Sequence, residues 1–256
     1  MPDIICKDAD ASVYNIGYDQ PWLPALDGTL FGFYMLGTSA PLDVLKDYSG
    51  HNRDLTRTGA PVESAASSAV GAFPDGYLAP FTGDDLFTAS GGTGFSIFAV
   101  IRTTADARAT VTGCSDGLVT KHVGFFCDEG QDVSLAVRNG GAGSIFTGVA
   151  ETPYRGTGFV FVGGLWEPGR IRAFRKVPGG ALTANQLIST VPAIVGGTLQ
   201  FGIGRFGAGA TSDGSYADAV DIAAIAYYSK SPSDSEVLSI HAGMQAAVHN
   251  CGGLTI

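Results

Sequence analysis

Residues 95–101, Phe95-Ser96-Ile97-Phe98-Ala99-Val100-Ile101, are apolar at both parities. A strand with one wet face alternates apolar with polar residues, whereas a strand covered on both faces reads as an unbroken apolar run. The run therefore predicts a central strand. Other strands surround it in sequence. Residues 30–36, Leu30-Phe31-Gly32-Phe33-Tyr34-Met35-Leu36, are rich in aromatics and bounded by Gly28 and Gly37. Val133, Leu135 and Val137 alternate with Ser134, Ala136 and Arg138 and run into Asn139-Gly140, a strong hairpin signal. Residues 159–162 and 171–174 form a second hairpin that turns at Glu167-Pro168-Gly169. Residues 200–203 and 221–228 complete the visible strands.

One helix is expected, and it comes late. Ser233 with Glu236 three residues on is a capping box, and Pro232 stops the preceding strand. Val237, Leu238, Ile240, Met244 and Val248 supply its apolar stripe. Strands at regular spacing with one short trailing helix predict an all-β, two-sheet antiparallel sandwich. Residues 1–28 hold Pro2, Pro21 and Pro24 without a sustained period and read as an N-terminal arm; residues 29–256 read as one sandwich domain. Asp8-Ala9-Asp10-Ala11-Ser12 resembles the start of a calcium loop, but Val13 stands where glycine is needed and Asp19 where glutamate is needed.

Composition agrees with this class. Glycine is 37 of 256 residues, about twice its usual ~7% share, and charged residues are 15% against a norm near 25%. The glycines have no three-residue period, which excludes a collagen-like rod. The net charge of −9 makes nucleic acid and anionic membranes poor partners. The uncharged stretches 28–42 and 86–101 contain glycine and are shorter than the ~20 residues of a membrane helix, so no membrane insertion is expected. Residues 1–10 lack a basic start followed by an apolar run, so no secretory signal is expected there. Four cysteines, Cys6, Cys114, Cys127 and Cys251, allow several pairings or four buried thiols. Cys114 and Cys127 could face each other across a hairpin.

Two stretches carry a family resemblance. Asp47-Tyr48-Ser49-Gly50-His51-Asn52-Arg53-Asp54-Leu55-Thr56, followed by Gly59-Ala60-Pro61-Val62, resembles the D-x-S-G-x-x-N/D-L turn and strand of laminin-G-like, concanavalin A-like jelly-roll modules. Residues 206–236, with Asp221-Ile222-Ala223-Ala224-Ile225-Ala226-Tyr227-Tyr228 leading into Ser233 and Glu236, resemble the closing strand of those modules. Between them, residues 95–103 resemble the F-T-I-x-x-W/V-x-K/R strand, and residues 166–180 the hairpin that often ends in N-G. The resemblance implies a two-sheet jelly roll that binds glycans or proteins, with a minority of glycosidases. Such modules are common in phage and prophage virion proteins. A virion setting is therefore expected, with an extracellular one as the alternative.

Candidate chemistry comes from residue types and their spacing. The glycosidases of this fold arm a cleft with acids two residues apart on one strand face. None of the five glutamates, Glu63, Glu129, Glu151, Glu167 and Glu236, has such a neighbour, and Asp218 and Asp221 are at odd spacing, so no catalytic residue is assigned. Gly113-Cys114-Ser115-Asp116-Gly117 matches a hydrolase nucleophile elbow, but residues 118–127 read as a strand where the elbow needs a helix. Cys114, His122 and Cys127 lack zinc spacing. Asp213, Ser215, Asp218 and Asp221 supply hard oxygen ligands within nine residues of a Gly-rich loop and are the candidate calcium ligands. Arg170, Arg172, Arg175 and Lys176 form a basic patch; Arg170, Arg172 and Lys176 share parity and would contact an anion, an acidic polysaccharide or an acidic subunit. For sugar stacking the candidates are Trp22, Tyr77, Trp166 and Tyr216.

The expected function is a non-enzymatic, virion-associated module that recognises a host-surface glycan. Its partners would be that polysaccharide, other virion chains and a second copy of itself. The alternative is a purely structural virion subunit that contacts only other protein chains.

Overall fold

The apolar run at 95–101 becomes strand β6 (Phe95–Arg102), which in the computed structural model lies inside an antiparallel sheet of eight strands among the described residues. The structure describes residues 28–37, 43–59, 62–63, 68–70, 76–103, 108–115, 121–127, 132–139, 145–150, 158–188, 201–204 and 218–256. The expected arm, apart from residue 28, lies outside them.

On one side β6 pairs with β11 (Val160–Glu167), which turns at Pro168-Gly169 into β12 (Arg170–Lys176), and β13 (Thr183–Ile188) stands at the end of the sheet. On its other side β6 pairs with β15 (Val220–Tyr228). The far edge of β15 is shared. Its first residues take β4 (Ser68–Val70), which pairs in turn with β3 (Val62–Glu63), and its remainder takes β1 (Leu30–Met35). Among the described residues the second sheet has seven strands in the order β10 (Ile145–Ala150), β9 (Asp132–Asn139), β8 (Lys121–Cys127), β7 (Ala109–Ser115), β14 (Gly202–Ile203), β5 (Gly76–Ala79) and β2 (Thr56–Gly59). All pairings are antiparallel, as a jelly-roll sandwich requires.

Both faces of β6 are covered, and by different things. Phe95, Ile97, Ala99 and Ile101 face the second sheet and join Val111, Phe125 and Leu135 in the inner core. Phe98 and Val100 face the other way, into a second core with Phe161, Phe174 and Tyr228. Helix α2 (Asp234–Gly252) lies over that outer core through Val237, Ile240, Met244 and Val248. A bulge in β15 between Ile222 and Ala224 resets its parity. Ile222, Ile225 and Tyr227 then point inward, while Ala223, Ala224 and Ala226 present small side chains beneath the helix. Gly163 of β11 makes room for the Phe98 ring, since a Cβ there would stand 2.3 Å from it.

The motif at 47–55 is a polar turn with a buried hub. The Asp47 carboxylate accepts backbone N–H bonds from Phe33 (3.1 Å), Ser49 (2.9 Å) and Arg53 (3.0 Å). The Asp54 carboxylate accepts from the Asp47 N–H at 2.9 Å. Gly50 and Asn52 take positive φ, 86° and 56°, a region that glycine and asparagine enter at least cost. Arg53 lies over the Phe31 ring at 3.7 Å and donates to the Phe31 carbonyl. The motif thus ties the turn to β1 and is structural.

Several expectations need correction. Helix α2 is 19 residues long, not short, and Leu238 lies off its buried stripe at 44% exposed. A second helix, α1 (Gly83–Ala89), is capped by Thr82 with Asp85 in a reciprocal capping box. The sequence gives it little advertisement, because the box is usually sought with Glu or Gln at its third position. The β9–β10 hairpin exists, but Val137 pairs with Ile145, so Asn139-Gly140 belongs to a longer connection than a two-residue turn. Cys114 stands opposite Val123 and Cys127 opposite Ala109, so they do not face each other; both are buried thiols. The elbow-like sequence at 113–117 begins in β7, and the next element is β8, a strand.

Candidate functional site

The charged groups best placed for recognition lie where β6 ends and β15 begins. Arg102 and Asp221 are direct partners in the β6–β15 ladder, so the fold itself brings them together. The Arg102 Nε and Nη2 both donate to Asp221 Oδ2, at 2.8 and 2.5 Å. The guanidinium also lies over the Phe159 ring, 4.8 Å from its centroid. Next to this pair, Asp218 and Arg108 are joined twice: Asp218 N–H donates to the Arg108 carbonyl at 3.0 Å, and Asp218 Oδ2 accepts the Arg108 N–H at 2.8 Å. Arg102 keeps 45% of its side chain exposed and Asp221 keeps 26%. A half-exposed guanidinium beside a carboxylate offers fixed donors and acceptors to a hydroxyl-rich or anionic ligand.

Of the four candidate calcium ligands, Asp218 and Asp221 sit at this end, each holding the contacts just given. Asp213 and Ser215 lie outside the described residues. Among the described residues no group of three His, Cys, Asp or Glu side chains is placed to hold a metal ion.

The other candidates lie elsewhere. Trp166 closes the opposite end of β11, about 23 Å from Arg102 along β6 at ~3.3 Å per residue. Its indole is 2% exposed and stacks on Phe95 at 5.6 Å, so it offers no ring face to a sugar. Arg170 pairs with Glu167 at 2.6 Å, and Glu167 also accepts from the Ser231 hydroxyl. Arg172 packs over Phe174 and pairs with Asp234 in the first turn of α2 at 2.7 Å. That contact holds the Asp234 carboxyl below its usual value, the hydrogen bond from Arg172 being the main cause. Lys176 donates to the Gly180 carbonyl at 2.8 Å. Arg170, Arg172 and Lys176 do share one face of β12, but it is the face that α2 covers. Tyr77 lies in β5 opposite Thr58. Trp22 and Tyr216 fall outside the described residues.

The sequence reading therefore brings together Asp218 and Asp221 and misses Arg102 and Phe159. A signal for Arg102 exists, because it occupies the basic position that closes the F-T-I-x-x-W/V-x-K/R pattern. Its partner has none, since the pairing depends on a ladder between residues 119 apart.

Glu236, His241 and Tyr227 are among the other groups with shifted protonation. Glu236, bonded to Lys230 and to the Ser233 cap, is held down to about 2. Burial pushes the His241 imidazole down to about 4, with Lys176 adding to the effect and a backbone bond to Ile256 opposing it. Burial raises the Tyr227 hydroxyl, which shares a 2.7 Å hydrogen bond with Thr112 across the inner core.

No family model matches the chain, and no curated protein does. Solved structures do match. One is a structure of botulinum neurotoxin type C, whose cell entry is dependent upon interaction with two ganglioside molecules (11% identity, 85% of this chain and 53% of that one, TM-score 0.60). Another is the binding domain of botulinum neurotoxin DC in complex with SialylT (10%, 86% and 52%, TM-score 0.61). A third is the same domain with rat synaptotagmin II (10%, 85% and 52%, TM-score 0.58). The chain spans about half the length of these structures. At this identity the likeness is one of fold: the chain shares the jelly-roll β-sandwich of toxin binding domains.

Proposed function

We propose that this chain is a non-enzymatic jelly-roll module that recognises a surface glycan, carried on a virion together with other virion chains. The observation that carries the reading is the fold match to domains whose names describe binding, two of them with ganglioside or SialylT. The glycan-facing end in this reading is the Arg102–Asp221 end. Among the described residues, Glu167, Asp221, Asp234 and Glu236 are each bound to a basic side chain, which fits binding better than the acid pair a glycosidase turns toward its substrate. The virion setting rests on the sequence resemblance.

The test is binding of the labelled protein to an array of glycans and bacterial-surface polysaccharides, with calcium and with a chelator. Saturable binding to one glycan class, weakened by Arg102→Ala in a protein of unchanged circular dichroism, is the expected result. Loss in chelator would assign calcium to the same end. Silence across the array from folded protein would overturn the glycan reading in favour of a structural subunit.

A further inference from the structure

We infer that β13 is a self-association edge, along which two copies of this chain join their eight-stranded sheets about a two-fold axis at Gln186. Among the described residues β13 ends the sheet, and all six of its residues, Thr183 to Ile188, are exposed. Natural edges are usually defended by Lys, Pro, a bulge or an inward charge. The sequence Thr-Ala-Asn-Gln-Leu-Ile contains no charge and no proline, and its pairing with β12 is continuous. Instead it exposes Leu187 at 37% and Ile188 at 74%.

Charge selects the occupant. The chain carries −9, so most pairs of its surfaces repel, but an uncharged strand can meet its own copy without opposing like charges. The cations of the adjacent β12 are already engaged within the chain, Arg170 with Glu167, Arg172 with Asp234 and Lys176 with Gly180. Register selects the axis. The Gln186 N–H donates to Asn185 Oδ1 at 2.8 Å, so it points off the sheet and not toward β12. An antiparallel neighbour forms its two-bond pair at such a position. A dyad there sets Gln186 against Gln186 of the second copy and the large Ile188 against the small Ala184. It also sets Leu187 against Asn185, whose side chain yields the Gln186 N–H to the incoming strand. One six-residue strand pair covers less than the ~800 Å² per partner of a standard interface, so the dimer is weak and concentration-dependent.

Sedimentation velocity of the full chain from micromolar to millimolar concentration tests this. The wild type is expected to shift from monomer to dimer. Gln186→Lys and Gln186→Glu, each at an exposed position, are expected to stay monomeric alone at unchanged melting temperature and to form a mixed dimer when combined. A wild type that stays monomeric throughout overturns the inference and leaves the edge to a strand of another sequence. Association that ignores both substitutions overturns it as well. Loss in each variant without recovery on mixing overturns the dyad at Gln186.

Discussion

Strands β6 and β13 belong to one sheet, three positions apart, and their environments are opposite. The first seven residues of β6 are buried and contribute to two cores at once, whereas every residue of β13 is exposed. The difference teaches that the third layer decides which strands become core. Helix α2 covers the outer face of the sheet over β6, β11 and β15, and its cover thins toward β13. A substitution should therefore be costly or harmless according to its distance from the helix.

The largest effect is expected at the centre. Phe98→Ala removes a ring in contact with Phe161, Phe174 and Tyr228 and should cost about 3–5 kcal/mol by urea unfolding. A loss below ~1 kcal/mol would mean that the outer core is loosely packed and that the contrast with β13 is overstated. An intermediate effect is expected from acid. His241 lies on the buried side of α2 with its ring edge-on to Phe161, and its folded value of about 4 lies below the ordinary 6.5. The unfolded chain therefore binds the extra proton. The stability this neutral histidine contributes is complete above about 6.5 and is lost as pH falls through the window down to about 4. The melting temperature should fall across that window and should fall less in His241→Gln; equal slopes in the two proteins would remove His241 as the cause. The smallest effect belongs to β13. Ile188→Lys should change monomer stability by no more than ~0.5 kcal/mol, measured at low concentration. A larger loss would show that β13 is a core strand after all.

Much of this contrast is legible in the chain. The double-parity run at 95–101 foretells a strand with two covers, and the Ser233–Glu236 box foretells the start of the helix that supplies one of them. Both signals are local. Parity also holds the answer for Trp166, which shares its phase with the buried Val160 and Val162; its closeness to the Pro168-Gly169 turn points instead, and wrongly, to a surface ring. The illegible part depends on pairings between distant residues. Arg172 is visible as a basic residue of known parity, but Asp234, which it binds across the helix–sheet contact, is 62 positions away. The Arg102–Asp221 pair is hidden for the same reason. The bulge in β15 is a further case, because a one-residue slip reverses every later side chain and leaves no mark in an all-apolar segment.

The shared far edge of β15 sets a timetable for biosynthesis. Among the described residues β1 has its ladder partner only in β15, with Leu30 opposite Tyr228. At ~5–20 residues per second a ribosome needs roughly 10–40 s to make the chain between them. Throughout that interval Leu-Phe-Gly-Phe-Tyr-Met stays without the strand it will bind, a sticky segment of the nascent chain. The central strand β6 has the same problem on one side, since Asp221 pairs with Arg102. The sandwich therefore closes late, only once β15 has been made. A chain cut short before Val220 would leave β1 without its ladder partner and one edge of β6 open, and should be handed to chaperones or lost to aggregation.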